Sequence, residues 1–499
     1  MEHTQYILGI DQSTQGTKAL VLDETGKILS RADAAHRQII NDKGWVEHDP
    51  EEIWENTKKA AALAIEKAGI PKEAIAGIGI SNQRETSIAF RKDGTPIYNA
   101  IVWQCARAAK LCEGIRKTHP EAEALIEQRT GIRLSPYFPA AKIAWILENV
   151  PGARKLAEEG ELRYGTMDTY LVYRMTGGKV YRTDRTNASR TQLFDIRKLS
   201  WDADLGRIFQ VPISNLPEAV DSDGDFGSTT LDGVLPHPVP IRGVLGDSHA
   251  ALFGQGCLSK GQVKATYGTG SSVMMNIGET PVASRHGVVT SIAFARSGQV
   301  AYCLEGNINY TGAVITWLKD DLGLVQSAGE TEALARTANP ADHTYLVPAF
   351  TGLGAPWWSD SARGILTGLS RTTKRAEIVR AALDCIAYQI TDVCRAMEED
   401  AGMPIQELRV DGGPTKNRYL MQFQSDIAKL PVLVPPAEEL SGMGAAYMAG
   451  LALGICQEEK LFAPAGTTKY LPQMAEAERT EKLAGWRQAL SQVLGEERK

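Results

Sequence analysis

Two stretches of this 499-residue chain constrain its fold more than any others. Each is an apolar run, a turn rich in Gly, Thr and Ser, and a second apolar run. The first passes from Tyr6–Ile10 through Asp11-Gln-Ser-Thr-Gln-Gly-Thr-Lys18 to Ala19–Leu22. The second passes from Val263 through Tyr267-Gly-Thr-Gly-Ser-Ser272 to Met275. Return to an apolar run after so few residues predicts a hairpin with a polar tip, not a strand-to-helix crossover. The two lie about 250 residues apart and share a pattern more than identities, so the two halves are expected to be structurally related units. Between them, short apolar runs alternate with longer amphipathic ones, the pattern of an α/β protein. Ile53–Ala68 has helical spacing, and Ile75–Ile80 is a strand running into Ser81-Asn-Gln-Arg-Glu-Thr86. Pro136–Asn149 predicts a helix, and the strand from Val239 leads to Asp247 and a helical Ala250–Phe253. Ile378–Met397 carries one apolar stripe, Val379, Leu383, Ile386, Ile390, Val393 and Met397, and so is a long helix. Leu408–Gly413 is a strand entering a glycine turn, with a helix from Asn417. We place the boundary near residues 250–260, giving domains 1–252 and 253–499, and expect residues 456–499 to be a polar, partly helical tail without chemistry.

Charge narrows the class of partner. With 54 Lys and Arg against 60 Asp and Glu, the chain has no basic footprint for nucleic acid or an anionic membrane. No apolar run approaches the ~18 residues that span a bilayer, so membrane insertion is not expected. The seven cysteines are scattered, odd in number and free of any C-x-x-C pair, which argues against disulfide frameworks and zinc sites. With no signal-like N-terminus, a cytoplasmic location is expected.

Glycine is the one residue type in mild excess, at 47. Some of it gathers at three strand-end turns, Asp11–Lys18, Tyr267–Ser272 and Asp411–Asn417. Such turns present successive backbone N–H groups as anion-binding concavities, and Ser or Thr hydroxyls add donors. Phosphate binding here does not use a P-loop, because G-x-x-x-x-G-K-[ST] is absent. Protein-kinase H-R-D and D-F-G motifs are missing as well. Gly77-Ile-Gly79 lacks the third glycine of a dinucleotide fingerprint.

Several motifs carry a resemblance. Asp11-Gln-Ser-Thr14 with Lys18, Asn82-Gln-Arg-Glu-Thr86, Tyr98-Asn-Ala-Ile-Val-Trp-Gln104, Gly246-Asp247 and Tyr267-Gly-Thr-Gly270 are similar to motifs of the FGGY carbohydrate kinases. So are Val410-Asp-Gly-Gly413, Tyr137-Phe-Pro-Ala-Ala-Lys142-Ile-Ala-Trp145 and Gly364-Ile-Leu-Thr-Gly368. Gly44-Trp-Val-Glu-His-Asp-Pro50, Asp184-Arg-Thr-Asn-Ala-Ser-Arg190 and Phe350-Thr-Gly-Leu-Gly-Ala-Pro356 resemble its glycerol-phosphorylating branch most. The resemblance implies two actin-like (ribonuclease H-like) ATPase domains with the active site in the cleft between them. It implies ATP and Mg²⁺, a small polyol or ketose as acceptor, and a homo-oligomer, dimer or tetramer.

Roles follow by the same resemblance. Asp247 is the expected base that accepts the hydroxyl proton. Arg84, Glu85, Tyr137, Trp103, Ser248 and Asp247 would hold the acceptor. Thr14, Lys18, Thr269, Gly312, Thr316, Gly413 and Asn417 would meet the nucleotide, and Asp11, with Asp247, would hold Mg²⁺ directly or through water. Thr316 stands where these kinases commonly have Gln. Ser248 and Ser272 stand where the glycerol-phosphorylating members carry Gln and Phe at the acceptor pocket. Those exchanges imply a roomier, more polar pocket, so a larger polyol or ketose of the erythritol, threitol, xylulose or ribulose type is an alternative to glycerol. His249 is expected to pack behind the pocket. An ATP-driven protein of the actin type without a sugar site is the alternative from another class, and it has no use for Arg84, Glu85, Tyr137 and Asp247.

Overall fold

The structure, a computed structural model, describes residues 4–436, 438–463 and 466–495. The first hairpin forms as its sequence predicts. Strands β1 (Tyr6–Gln12) and β2 (Gly16–Leu22) pair antiparallel with Asp11 opposite Lys18. The turn between them is closed by Ser13, whose backbone N–H and hydroxyl both donate to the Gly16 carbonyl at 2.9 Å. β3 (Ile28–Ala35) continues the meander beside β2. A helix, Pro50–Ala68, then crosses over the sheet. Asp49 caps its start by accepting from the Glu51 N–H, and Gly69 ends it in the left-handed conformation. Its buried face, Ile53, Trp54, Ala60, Ala61, Ala64 and Ile65, allows β4 (Ile75–Asn82) to return parallel to β1. β5 (Val239–Gly246) adds parallel to β4.

The second half repeats this plan. β6 (Val263–Tyr267) and β7 (Ser271–Gly278) form the second hairpin, and β8 (Val289–Arg296) and β9 (Gln299–Ile308) extend it antiparallel. β10 (Leu408–Asp411) and β11 (Val432–Val434) lie parallel on the other side of β6. Strand order is thus β5–β4–β1–β2–β3 in one sheet and β8–β9–β7–β6–β10–β11 in the other, with a short antiparallel edge strand beyond β5 (Ser228–Thr229) and beyond β11 (Thr468–Tyr470). In both, the hairpin's first strand is central, antiparallel strands lie to one side and parallel strands to the other. The long helix, Arg375–Ala401, buries its predicted stripe against the second sheet.

One helix departs from a simple division of the chain. Leu440–Ala452, late in the sequence, packs against the first sheet, on β1, β4 and β5. Close approach is possible because Gly9, Gly79 and Gly243 line up across those strands. A Cβ on them would lie 2.7, 2.1 and 2.4 Å from the carbonyl oxygens of Gly442, Ala445 and Ala445. The C-terminal segment is more than the polar tail expected from its composition. Its helix Glu476–Leu494 buries Trp486, which stacks on Tyr388 with centroids 5.1 Å apart and donates to Asp392 at 2.7 Å. All seven cysteines are free and buried. Among the described residues no helix is long and apolar enough to cross a membrane.

Candidate active site

The edge of the cleft nearest β4 is shaped by one unusual backbone conformation. Beyond Asn82 the chain turns sharply, and Glu85 takes φ +60, a left-handed conformation costly for a residue with a Cβ. The reversal sends the side chains of Arg84 and Glu85 to different partners. Arg84 donates from Nη1 and Nη2 to the two oxygens of Glu305 at 3.0 and 2.6 Å, and its Nε lies 3.3 Å from Asp247 Oδ1. Glu85 accepts from Arg190 Nε at 2.6 Å, and Arg190 Nη1 lies 2.8 Å from Glu305. Glu305, on β9, is wholly buried. Burial alone would raise its pKa, but Arg190 and Arg84 outweigh it and hold the carboxyl well below its usual range. An acid of the second domain is therefore clasped by two arginines of the first at the floor of the cleft.

Asp247 opens the helix Asp247–Gly254 directly after β5, and its carboxylate accepts from the Ser248 N–H at 2.6 Å. About a third of its side chain is exposed. Burial raises its pKa, Arg84 opposes that, and Glu85 adds to it. Near it stands Asp11, which accepts from Ser81 Oγ at 2.5 Å. Burial pushes Asp11 up to about 6; Ser81 and Lys18 act against the rise, whereas Asp247 and Glu439 add to it. Lys18 itself donates to Glu439 at 2.9 Å, and Glu439 also pairs with Arg31.

The opposite wall is aromatic. Trp103 donates from Nε1 to Thr14 Oγ1 at 2.9 Å and meets Tyr137 edge-on, with centroids 5.6 Å apart. Buried Lys142 donates to the Tyr137 carbonyl, and burial lowers its own pKa to about 7. Behind the hairpin tip, Gln83, His48 and Gln38 form a chain of hydrogen bonds of 3.1, 2.9 and 2.6 Å that ends on the Thr14 carbonyl. Burial lowers His48 to about 3, so this support is uncharged.

On the second domain three turns pack together. Gly312 N–H donates to Gly268 O at 2.9 Å, and Ala313 N–H to Thr269 O at 3.0 Å. Gly412 has φ +99, and a Cβ there would lie 2.1 Å from the Tyr267 carbonyl, so only glycine lets β10 close on the hairpin. Gly413 beside it faces open space. Thr269 is exposed at the tip. Thr316 is exposed as well, its hydroxyl returning to Gly312 O at 3.3 Å. Asn417 caps its helix by accepting from Leu420 N–H at 3.0 Å and donates to Thr331 at 3.0 Å. His249 is fully buried, 3.2 Å from Ser291 Oγ, with Nδ1 unpartnered among the described residues.

The structure thus gathers Arg84, Glu85, Asp247, Asp11, Thr14, Trp103 and Tyr137 on one side, and Thr269, Gly312 and Gly413 on the other. Sequence reasoning missed three charged residues of the cleft, Glu305, Arg190 and Lys264. Buried Lys264 lies 3.2 Å from Thr266 Oγ1 and 3.4 Å from Ser272 Oγ. For Glu305 and Lys264 the available signal was a lone charge in an otherwise apolar strand, Tyr302-Cys-Leu-Glu-Gly306 and Val263-Lys-Ala265. No group of three or more His, Cys, Asp or Glu side chains that could cage a metal occurs among the described residues. Asp11 and Asp247 offer two carboxylates, a set that suits a hard cation sharing its other positions with phosphate oxygens and water.

Residues 6–254 match the FGGY family of carbohydrate kinases, N-terminal domain, and residues 263–453 match its C-terminal domain. The chain is 46% identical to a glycerol kinase of Alkalilimnicola ehrlichii, over 98% of this chain and 99% of that protein. It is 45% identical to glycerol kinase 2 of Thermotoga maritima, over 99% of this chain and 100% of that protein. Among solved structures, the glycerol kinase of Plasmodium falciparum with ADP superposes with a TM-score of 0.92 at 34% identity, covering 99% of each chain.

Proposed function

The chain belongs to the FGGY family of carbohydrate kinases, and on that premise we propose that it transfers the γ-phosphoryl group of ATP to a primary hydroxyl of a small polyol, as glycerol kinases do in forming glycerol 3-phosphate. The observation that carries this reading is Asp247, a partly open carboxylate set 3.3 Å from Arg84 at the end of a buried strand. Phosphoryl transfer requires placement, charge neutralisation and one group to take the hydroxyl proton. Asp247 takes that proton as the acceptor oxygen bonds to phosphorus and the bond to the ADP oxygen breaks. Arg84 and Glu85, each fixed by a partner behind it, clamp the neighbouring hydroxyls. Trp103 and Tyr137 wall the carbon chain. Ser248 lies beside the base.

Thr14 and Thr269, one from each hairpin, donate to the phosphates. Lys18 adds positive charge from a position it shares with Glu439. Gly312 and Gly413 bring backbone close to the nucleotide, with Thr316 and Asn417 at its margin. Mg²⁺ fits this set, since Asp11 is a buried acid beside a second carboxylate and a cation relieves both. Asp11 and Asp247 would hold it, directly or through water, and the ion would neutralise phosphate charge.

ADP release measured with ATP and a polyol tests the proposal. A general base is worth about 10²–10⁴-fold, so Asp247→Asn lowers kcat at least about a hundredfold. Turnover near that of the unmodified protein, or ATP turnover independent of any acceptor, contradicts it.

A further inference from the structure

We propose that the preferred acceptor is a linear polyhydroxy compound of four or five carbons, and that Asn307 together with Ser272 binds its additional hydroxyls. The inference rests on the polyol-kinase reading and deepens it. On β9 the side chains alternate between faces. Glu305 faces the first domain, since it holds Arg84 and Arg190. Cys303, two residues earlier, faces the same way, with its Sγ 3.3 Å from Ser291 Oγ, the partner of His249. Asn307, two residues later and with no register shift between, lies on the same face of the sheet as Glu305. It sits directly opposite Ser272 on β7, and Ser272 is opposite Thr266 on β6. Ser272 donates to Glu305 at 3.2 Å. Contacts therefore run from Asp247 through Arg84 and Glu305 to Ser272, which puts Ser272 and Asn307 on the wall across from the base.

Asn307 is half-buried, and its carboxamide makes no hydrogen bond among the described residues. A carboxamide brings two donors and an acceptor. Once an acceptor fills the cleft and displaces water, those groups need partners or oppose binding. Glycerol has three hydroxyls, one given to Asp247 and two to Arg84 and Glu85. None is left for the Asn307 wall. A chain longer by one or two hydroxylated carbons satisfies it, and sites built around such polar groups discriminate strongly against substrates that lack the hydroxyl.

The test uses the full-length enzyme with saturating Mg-ATP, following ADP release with glycerol, erythritol, D-threitol, ribitol, xylitol and D-xylulose in turn. At least one four- or five-carbon compound is expected to exceed glycerol in kcat/KM by about tenfold or more. In Asn307→Ala, and in Ser272→Ala as a second variant, the ratio of that kcat/KM to the glycerol value is expected to fall at least about tenfold. Glycerol as the best acceptor of the unmodified enzyme overturns the proposal and leaves the kinase reading intact. So does an equal loss with every acceptor in Asn307→Ala, which marks a contact to phosphate instead. Absence of acceptor-dependent ADP release with every compound overturns both readings.

Discussion

At the tip of the first hairpin, Asp11 is an acid that burial has made reluctant to ionise. Its pKa is pushed up to about 6 from the ordinary 3.8. A raised carboxyl pKa means that the folded chain holds the proton more tightly than the unfolded chain. The stability this confers is fully present below 3.8 and is lost as pH rises through about 6. Relative to the protonated form, the ionised side chain then carries a deficit of about 3 kcal/mol at neutral pH. Asp11→Asn should accordingly raise the melting temperature of the ligand-free protein at pH 7.5, and the gain should shrink towards pH 4. The same variant should lose the added stabilisation that Mg²⁺ gives in the presence of ADP. A thermal-shift series over pH, with ADP and with or without Mg²⁺, reads both, and a lower ligand-free melting temperature at pH 7.5 contradicts the assignment. Glu305 presents the opposite case, a buried acid that its partners keep charged. Glu305→Gln leaves Arg84 and Arg190 short of a counter-charge, a defect worth about 3–5 kcal/mol in buried ion clusters. We expect a loss of that size in urea unfolding, together with a raised KM for the polyol, because Arg84 loses the partner that aims it. Unchanged stability would show that water already shields the cluster.

Among the elements, the helix Leu440–Ala452 lies against the first sheet because three strands carry glycine where it crosses. At Gly79 a Cβ would sit 2.1 Å from the Ala445 carbonyl oxygen and 2.3 Å from its carbon, and neither backbone atom can move alone. Gly79→Ala is expected to cost about 3 kcal/mol or more as the helix is lifted from the sheet. Gly114, inside the helix Ala109–Thr118, makes a control, since nothing lies within 4 Å of an added Cβ. Gly114→Ala should stabilise by about 0.5–1 kcal/mol, so chemical denaturation of the two variants separates close packing from backbone entropy. The hairpins and the Arg375–Ala401 helix were legible in the sequence because turn chemistry and apolar period are local. The position of Asp247, at a strand end beside a helix start, was legible for the same reason. The clasp of Glu305 by Arg84 and Arg190 was not, since the partners lie more than 100 residues apart and no local pattern names a partner. Nor was the role of Gly9, Gly79 and Gly243, since a glycine in a strand looks alike whether it turns the chain or admits a helix. Glu476–Leu494 was legible only as part of a polar, partly helical tail, because its first two turns, Glu476–Lys482, are mostly charged and Trp486 is the one large aromatic it buries.

Across the whole molecule, the two halves of the sequence are interlocked in space. The late helix Leu440–Ala452 completes the core around β1, β4 and β5, where Leu20, Ala250 and Phe253 meet Met443, Ala446 and Met448. Glu439, just before that helix, pairs with Lys18 and Arg31 of the first sheet, and Glu305 pairs with Arg84 and Arg190. A cut between residues 252 and 253 would therefore not release two self-sufficient domains. It would fall inside the helix Asp247–Gly254 and strip the first sheet of the helix that covers one face. The exposed face would be apolar and flat at its glycines, a surface that in water favours association over cooperative folding. Residues 1–252 expressed alone are expected to aggregate or to lack a cooperative unfolding transition. The fragment 253–499 would carry an orphaned apolar helix, with Glu305 buried against nothing. Co-expression of the two should return a soluble one-to-one complex with a single transition, since each supplies what the other lacks. Size-exclusion chromatography and calorimetry of the fragments, separately and together, decide the matter. A cooperative transition in 1–252 alone, comparable to that of the intact chain, would mean that the helix Leu440–Ala452 is an accessory to the first domain and not part of its core.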